Sequence, residues 1–153
     1  MTGRAERAVV AAATFVDTTV LVAGAVRSHV HYERSAALLA SIAPGTGFCA
    51  AHSLAEMFAT LTALPLTPRI HPTDAAAAVR QRAETLTSVT LTAGEYLQAI
   101  TDAAERGATT GQGYDALILA AAAKSPAAII YTWNIRHFER LAGPSLRPRL
   151  RTP

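Results

Sequence analysis

The sequence predicts an α/β fold: a three-layer α/β/α sandwich around a central parallel sheet of four to five strands. Short runs with β-like composition alternate along the chain with longer runs rich in Ala and Leu at helical spacing. The short runs are apolar throughout rather than alternating apolar and polar. Strands of this kind are typical of a parallel sheet that is covered by helices on both faces.

The order of elements follows from these runs and from the Gly and Pro clusters between them. Residues 44–47 and 107–113 are Gly-containing loops that separate neighbouring elements. Residues 143–153 hold three Pro and three Arg, which fits a tail or at most one short edge strand. The predicted strands are 14–16, 48–51, 89–91 and 128–131, and the predicted helices are 30–43, 53–64, 74–85, 93–106, 114–124 and 135–141.

Length and composition restrict the class of protein. A chain of 153 residues has the size of one domain, so we expect a single domain over 1–153 with a frayed leader at 1–8. One cysteine, Cys49, excludes a disulfide-rich scaffold and a thiolate zinc site, which favours a cytoplasmic protein. Asp17 ends the apolar run 8–16, so no membrane span is predicted.

The positive charge of the chain is almost entirely arginine. Of 14 Lys and Arg residues, Lys124 is the only lysine. Arginine contacts phosphate well, but an Arg- and Ala-rich composition is also typical of a GC-rich genome. We interpret the C-terminal arginines as a solvated tail in preference to a phosphate-binding series: Arg136, Arg140, Arg147, Arg149 and Arg151.

Four polar side chains are predicted at one edge of the sheet. Asp17 ends the first strand, and Asn134 follows the last predicted strand. Glu56 lies one helical turn after the second strand, and Asp115 opens a helix after the loop 107–113. Ligands of parallel sheets bind outside the carboxyl ends of the strands, so this edge is the predicted functional site.

Three of these residues also have a structural interpretation. Glu56 could close a capping box with Ser53, as Thr92 and Glu95 are expected to do elsewhere. Asp115 could interact with a helix dipole, and Asn134 could be a plain N-cap. Asp17 differs, since a carboxylate among apolar residues needs a cation or hydrogen-bond donors.

Taken together, the carboxylates favour a metal site. Three acids at one edge repel one another, and a divalent ion would relieve that repulsion. Oxygen ligands without a His or Cys cluster indicate magnesium or manganese rather than zinc. We interpret His29 and His31 as an ordinary helix start, and His52 and His137 as supporting or surface groups.

Four segments of the sequence, 14–21, 53–56, 114–122 and 132–138, resemble the PIN domain, and specifically the VapC-type toxin ribonucleases. The resemblance implies a metal-dependent endoribonuclease that hydrolyses RNA with an activated water. It also implies a cognate antitoxin protein, a homodimer and a cytoplasmic location.

Carried over to this sequence, the resemblance assigns roles to individual residues. Asn134 falls where many members have a fourth acid, and Thr132 where many have a hydroxyl near the site. The uncharged Asn134 weakens a second metal position, and Thr19 stands where Asn is common. The remaining residues correspond to the three acidic metal ligands of the family: Asp17, Glu56 and Asp115.

Two alternatives stay open at this stage. The first is a PIN-like scaffold that binds RNA or protein without cutting, which only Asn134 favours. The second is a response-regulator receiver domain, which needs a lysine at a strand end. Lys124 instead falls at the end of a predicted helix, so this alternative is the weaker one.

Overall fold

The computed structural model describes residues 11–153 and contains one sheet of five parallel strands. The predicted leader at 1–8 lies outside the described residues. Across the sheet the strands lie in the order β3, β2, β1, β4, β5, with β1 at the centre. Their bounds are β1 (Thr14–Val16), β2 (Gly47–Ala50), β3 (Thr87–Val89), β4 (Ile129–Tyr131) and β5 (Leu150–Arg151).

Helices connect the strands and cover the sheet. A single 3-10 turn, Arg147–Arg149, precedes β5. The predicted capping box at Thr92 and Glu95 is confirmed, with the Glu95 amide donating to the Thr92 hydroxyl. The described helices are α1 (Thr18–Ala23), α2 (Tyr32–Ser41), α3 (Ala51–Ala63), α4 (Pro72–Thr85), α5 (Ala93–Glu105), α6 (Gln112–Lys124) and α7 (Ile135–Leu141).

Successive strand residues face opposite sides of the sheet and bury two separate cores. Phe15 of β1 and Ile130 of β4 pack in a core with residues of α6 and α7. Val16 packs in a second core with residues of α1 and α3. Because a parallel strand alternates its side chains between two faces, each face is covered by its own helices. The predicted three-layer α/β/α sandwich is confirmed.

One helix was not predicted, the bounds of one strand are shifted, and the other bounds lie within about two residues of the predicted ones. Helix α1 was not predicted, since the β-branched run after Asp17 has no helical signature. Strand β3 begins at Thr87 rather than Val89, two residues earlier than its apolar part indicates. Of the tail and the short edge strand expected for residues 143–153, the structure has the strand: β5 pairs with β4, and Arg149 donates to the Ala127 carbonyl.

The strand order places a crevice beside β1. From β1 the chain moves outward through β2 to β3, and then returns to build β4 and β5 on the other side of β1. The connections therefore diverge between β1 and β4, at the point where parallel sheets bind ligands. Asp17 lies at the carboxyl end of one of these strands, and residues 132–134 follow the other.

We predict that Gly47→Ala destabilises the protein by about 1–3 kcal/mol, the usual cost of overpacking a core. A Cβ atom at position 47 would lie 2.5 Å from Leu86 Cδ2 and 2.6 Å from Ile42 Cγ2. The matched control is Gly111→Ala, because a Cβ there meets no atom within 4 Å. Thermal or urea unfolding of both variants measures the difference, and equal stabilities would contradict the packing at β2.

Candidate active site

The structure brings the four predicted polar residues together at the carboxyl edge of the sheet. Asp17, Glu56, Asp115 and Asn134 all line one cavity of about 690 Å³. Asp17 follows β1 directly, and Asn134 lies at the N-terminus of α7, just after β4. Glu56 lies in the N-terminal half of α3, and Asp115 lies in the first turn of α6. Both helix N-termini are at this edge of the sheet. Thr132 is fully buried beside Asp17.

Asp17 is 1% exposed, and hydrogen-bond donors surround its carboxylate. The Thr18 amide donates to Oδ1 at 2.6 Å. The Thr19 and Thr132 hydroxyls both donate to Oδ2 at 2.7 Å. The donors that a buried carboxylate requires are therefore present, and they come from both central strand ends.

Burial still dominates the ionisation of Asp17. Loss of hydration raises the pKa of its carboxyl group, and the bonds from Thr132, Thr19 and Thr18 oppose that rise. The backbone N–H of Thr19 also lowers the pKa of Asp17, so neutral donors surround this carboxylate on several sides.

The Glu56 carboxylate contacts Thr18 of α1 and His52, which lies one turn earlier in its own helix α3. The Thr18 hydroxyl donates to Glu56 Oε2 at 3.0 Å, and His52 Nε2 lies 3.5 Å from Oε1. Ser53 lies inside α3, whose first residue is Ala51, so the capping-box interpretation of Glu56 is wrong. Burial raises the pKa of Glu56, while the Thr18 hydroxyl and His52 lower it.

The pKa of Asp115 lies well above its ordinary value of 3.8. Burial first, and then the charges of Asp17 and Glu56, raise the pKa of Asp115 to about 7. These electrostatic effects show that the three carboxylates act on one another across the cavity. The Asn134 amide donates to Asp115 Oδ2 at 3.2 Å, and His137 Nδ1 lies 3.8 Å from the same oxygen.

Thr132 and Asn134 join the end of β4 to the acids. The Asn134 backbone amide donates to the Thr132 hydroxyl at 2.9 Å, while that hydroxyl donates to Asp17. Asn134 lies at the N-cap position of α7, but its side chain makes no capping bond and faces Asp115. The plain N-cap interpretation of this side chain is therefore wrong.

The donor set fits a divalent cation by its chemistry. The three carboxylates in the cavity repel one another. Within residues 11–153, no Lys or Arg side chain forms an ion pair with them. In the same part of the chain, no three His, Cys, Asp or Glu side chains lie close enough together to enclose a metal ion. Direct contact of one ion with all three acids would require a side chain to reorient, whereas magnesium needs only one or two carboxylates and completes its shell with water.

The sequence did not indicate several residues that shape the cavity. Thr18 and Thr19 supply donors to the acids. Both lie in the segment 14–21 that resembles the PIN domain, but neither hydroxyl was assigned a role. Trp133 and His31 lie 102 residues apart, yet their rings stack with centroids 3.7 Å apart. His31 does precede α2, as a helix start should, but it also lines the cavity.

Other features of the described chain lie away from the cavity. Lys124 is at the end of helix α6 and pairs with Glu95 at 2.8 Å. It is therefore not the strand-end lysine that a receiver domain requires. No helix within residues 11–153 has the length and apolar character to cross a membrane.

We predict that Asp115→Asn changes the pH dependence of stability when divalent ions are chelated. Because the pKa of Asp115 is about 7 in the folded protein and ordinarily 3.8, the folded state keeps a proton that the unfolded chain releases between those values. This contribution to stability is complete below pH 3.8 and is lost as the pH rises through about 7.

Melting temperatures from pH 4 to pH 8 in chelator provide the measurement. We expect Asp115→Asn to gain stability relative to the wild type as the pH rises. Asp102→Asn, which removes an exposed acid of α5, is the control and should show no such trend. A constant offset between Asp115→Asn and the wild type would contradict the charge repulsion.

Residues 14–144 match the PIN domain family model. A comparison with curated proteins finds no match. Among solved structures, the chain is similar to the sarcin-ricin-loop-cleaving toxin VapC20 of Mycobacterium tuberculosis, with a TM-score of 0.65 and 22% identity over 79% of this chain and 89% of that one. The matched segment contains all five predicted site residues and most of the sheet, and the chain belongs to the PIN domain family.

Proposed function

We propose that this protein is a magnesium- or manganese-dependent endoribonuclease that acts as the toxin of a toxin–antitoxin pair. The observation that carries the proposal is the group of three mutually repelling carboxylates, unpaired with Lys or Arg within residues 11–153, at the carboxyl edge of a PIN-domain sheet. The similarity of the fold to a toxin that cleaves the sarcin-ricin loop supports the choice of RNA as substrate.

In the proposed reaction, Asp17, Glu56 and Asp115 hold the divalent ion. When bound, the ion supplies an acidic water and offsets negative charge on the phosphate. Asp17 contributes its carboxylate, which the hydrogen bonds from Thr18, Thr19 and Thr132 keep from rotating. The acids accept the proton of the attacking water as a coupled group.

Asn134 and Thr132 act on the acids. Thr132 fixes Asp17, and the Asn134 amide orients Asp115 without adding a fourth negative charge. The neutral side chain therefore favours one firmly held ion, with any second ion dependent on the phosphate of RNA.

The proposed partners follow from the same charges. RNA approaches the carboxylates through its phosphates once a cation is bound. An antitoxin segment carrying Arg or Lys would occupy the acids directly, because guanidinium forms strong bidentate contacts with carboxylates. We also propose a homodimer and a cytoplasmic location, as the sequence resemblance implies.

We predict that the purified protein cleaves RNA only when magnesium or manganese is present. Chelator should abolish cleavage and added magnesium should restore it, because the donors are all oxygen atoms. Asp115→Asn should lower the cleavage rate by roughly 100-fold or more, as expected for a group that acts in proton transfer. Asp102→Asn serves as the control with wild-type cleavage.

Cleavage that persists in excess chelator would contradict the metal mechanism. A wild-type protein that binds RNA and never cleaves it would instead support the non-catalytic PIN scaffold, the second candidate, which the uncharged Asn134 favours.

We predict that calorimetric titration of the RNA-free protein with manganese shows one strong site. Asn134→Asp should add a second, weaker site, because it supplies the acid that the chain lacks at this position. Two strong sites in the wild-type protein would contradict the role assigned to Asn134. Gln98→Glu, which adds an acid on exposed α5, controls for the change of net charge.

A further inference from the structure

We propose that the apolar part of the cavity holds one unpaired nucleobase of the RNA, next to the phosphate that the carboxylates act on. The lining of this part includes His29, Val30 and Tyr114, together with the stacked pair His31 and Trp133. We call these five residues the base wall. The inference rests on the proposed ribonuclease function and adds to it the residues that determine which RNA is bound.

The base wall is held rigidly at its centre. The rings of His31 and Trp133 are nearly parallel, with 8° between their planes. The Trp133 indole N–H donates to the buried Ser35 hydroxyl at 2.8 Å. The backbone amide of His31 donates to His29 Nδ1 at 3.1 Å. A flat aromatic group with a fixed orientation is the kind of surface on which unstacked RNA bases bind.

The base wall is also connected to the carboxylates. The Trp133 backbone amide donates to the Thr19 hydroxyl at 3.0 Å, and the same hydroxyl donates to Asp17. Tyr114 directly precedes Asp115 in the first turn of α6. One continuous set of hydrogen bonds therefore sets the distance between a docked base and the acids, as selection of a cleavage site requires.

Two side chains of the base wall expose apolar surface next to the acids. Val30 is 86% exposed and Tyr114 is 53% exposed, although both line the cavity. The cavity volume of about 690 Å³ lies within the range of small-molecule sites, about 300–1,000 Å³. A nucleobase covers such apolar surface while its phosphate stays on the polar side.

The charge beside the base wall favours RNA over an apolar protein segment. The Arg34 guanidinium carbon lies 5.2 Å from the Trp133 ring centroid. A cation at this position can contact the phosphate that follows a docked base. An apolar side chain of a partner protein would form no charge interaction with Arg34.

The test uses a fluorescent RNA oligonucleotide that spans a site mapped by wild-type cleavage of total RNA. In a companion series, each nucleotide in turn is abasic. Affinities are measured by anisotropy with the Asp115→Asn protein, so that the RNA stays intact. We expect one abasic position near the scissile bond to weaken binding by about tenfold, the scale of one stacked base.

Double variants assign that loss to the base wall. Adding Tyr114→Ala or Val30→Ser should weaken binding of the intact RNA by a similar factor, after which the abasic position should have no further effect. Leu97→Ala, an equivalent truncation at a 67% exposed residue of α5, should leave the full abasic effect. Trp133 is the only tryptophan, so its emission should change with intact RNA and not with the abasic form.

Each outcome decides between the proposals. If the losses of RNA affinity from the abasic position and from Tyr114→Ala are additive, the base binds elsewhere. This result would overturn the inference and leave the proposed ribonuclease function intact. If both base-wall variants bind RNA normally but lose a co-purifying antitoxin, the wall binds protein and the inference is likewise overturned. If the wild-type protein cleaves no RNA, both this inference and the proposed function fail.

Discussion

The buried carboxylate of Asp17 joins the two central strands of the sheet, and the geometry of the candidate site depends on it. Its donors come from the start of α1 and from Thr132 after β4. The Asp17 backbone amide also donates to the Tyr131 carbonyl at 2.9 Å. A side chain that binds both strand ends fixes the crevice between them, and every other polar group of the cavity is placed relative to that crevice.

This arrangement has an energetic cost that the fold itself does not require. Burial raises the pKa of all three acids. The charge of Asp17 raises the pKa of Glu56 further, and the charges of Asp17 and Glu56 together raise that of Asp115. A hydrophobic or neutral residue of similar size at Asp115 would remove part of the repulsion without disturbing the packing of α6. Charge that destabilises the folded state and persists at one edge of the sheet is typical of a functional site.

The sequence predicted the edge at which the acids meet, and the structure explains why. The alternation of strands and helices determines which residues follow each strand, so Asp17, Asn134 and the starts of α3 and α6 had to lie at one end of a parallel sheet. The family resemblance placed the Thr132 hydroxyl near the site, but it did not give the hydrogen bonds that Thr18, Thr19 and Thr132 make to the acids, because single hydroxyls carry no periodic signal. Helix α1 was missed for a related reason, since tertiary packing overrides the β-branched preference of 18–23. The stack of His31 on Trp133 depends on a contact across most of the chain, which no local pattern reports.

The type of donor around the acids separates a structural role from a functional one. A carboxylate buried only for stability is ordinarily paired with Arg or Lys, because leaving its charge unmatched is costly. Here hydroxyl, amide and backbone N–H groups orient Asp17, Glu56 and Asp115, and within residues 11–153 no Lys or Arg forms an ion pair with any of them. Neutral donors hold a carboxylate in place and leave its negative charge in the cavity. The nearby arginine, Arg34, lies instead against the Trp133 ring. The neutral donors therefore set the positions of the acids, and the absence of a paired Lys or Arg within residues 11–153 leaves their negative charge available. A cation could bind there without first displacing an internal salt bridge.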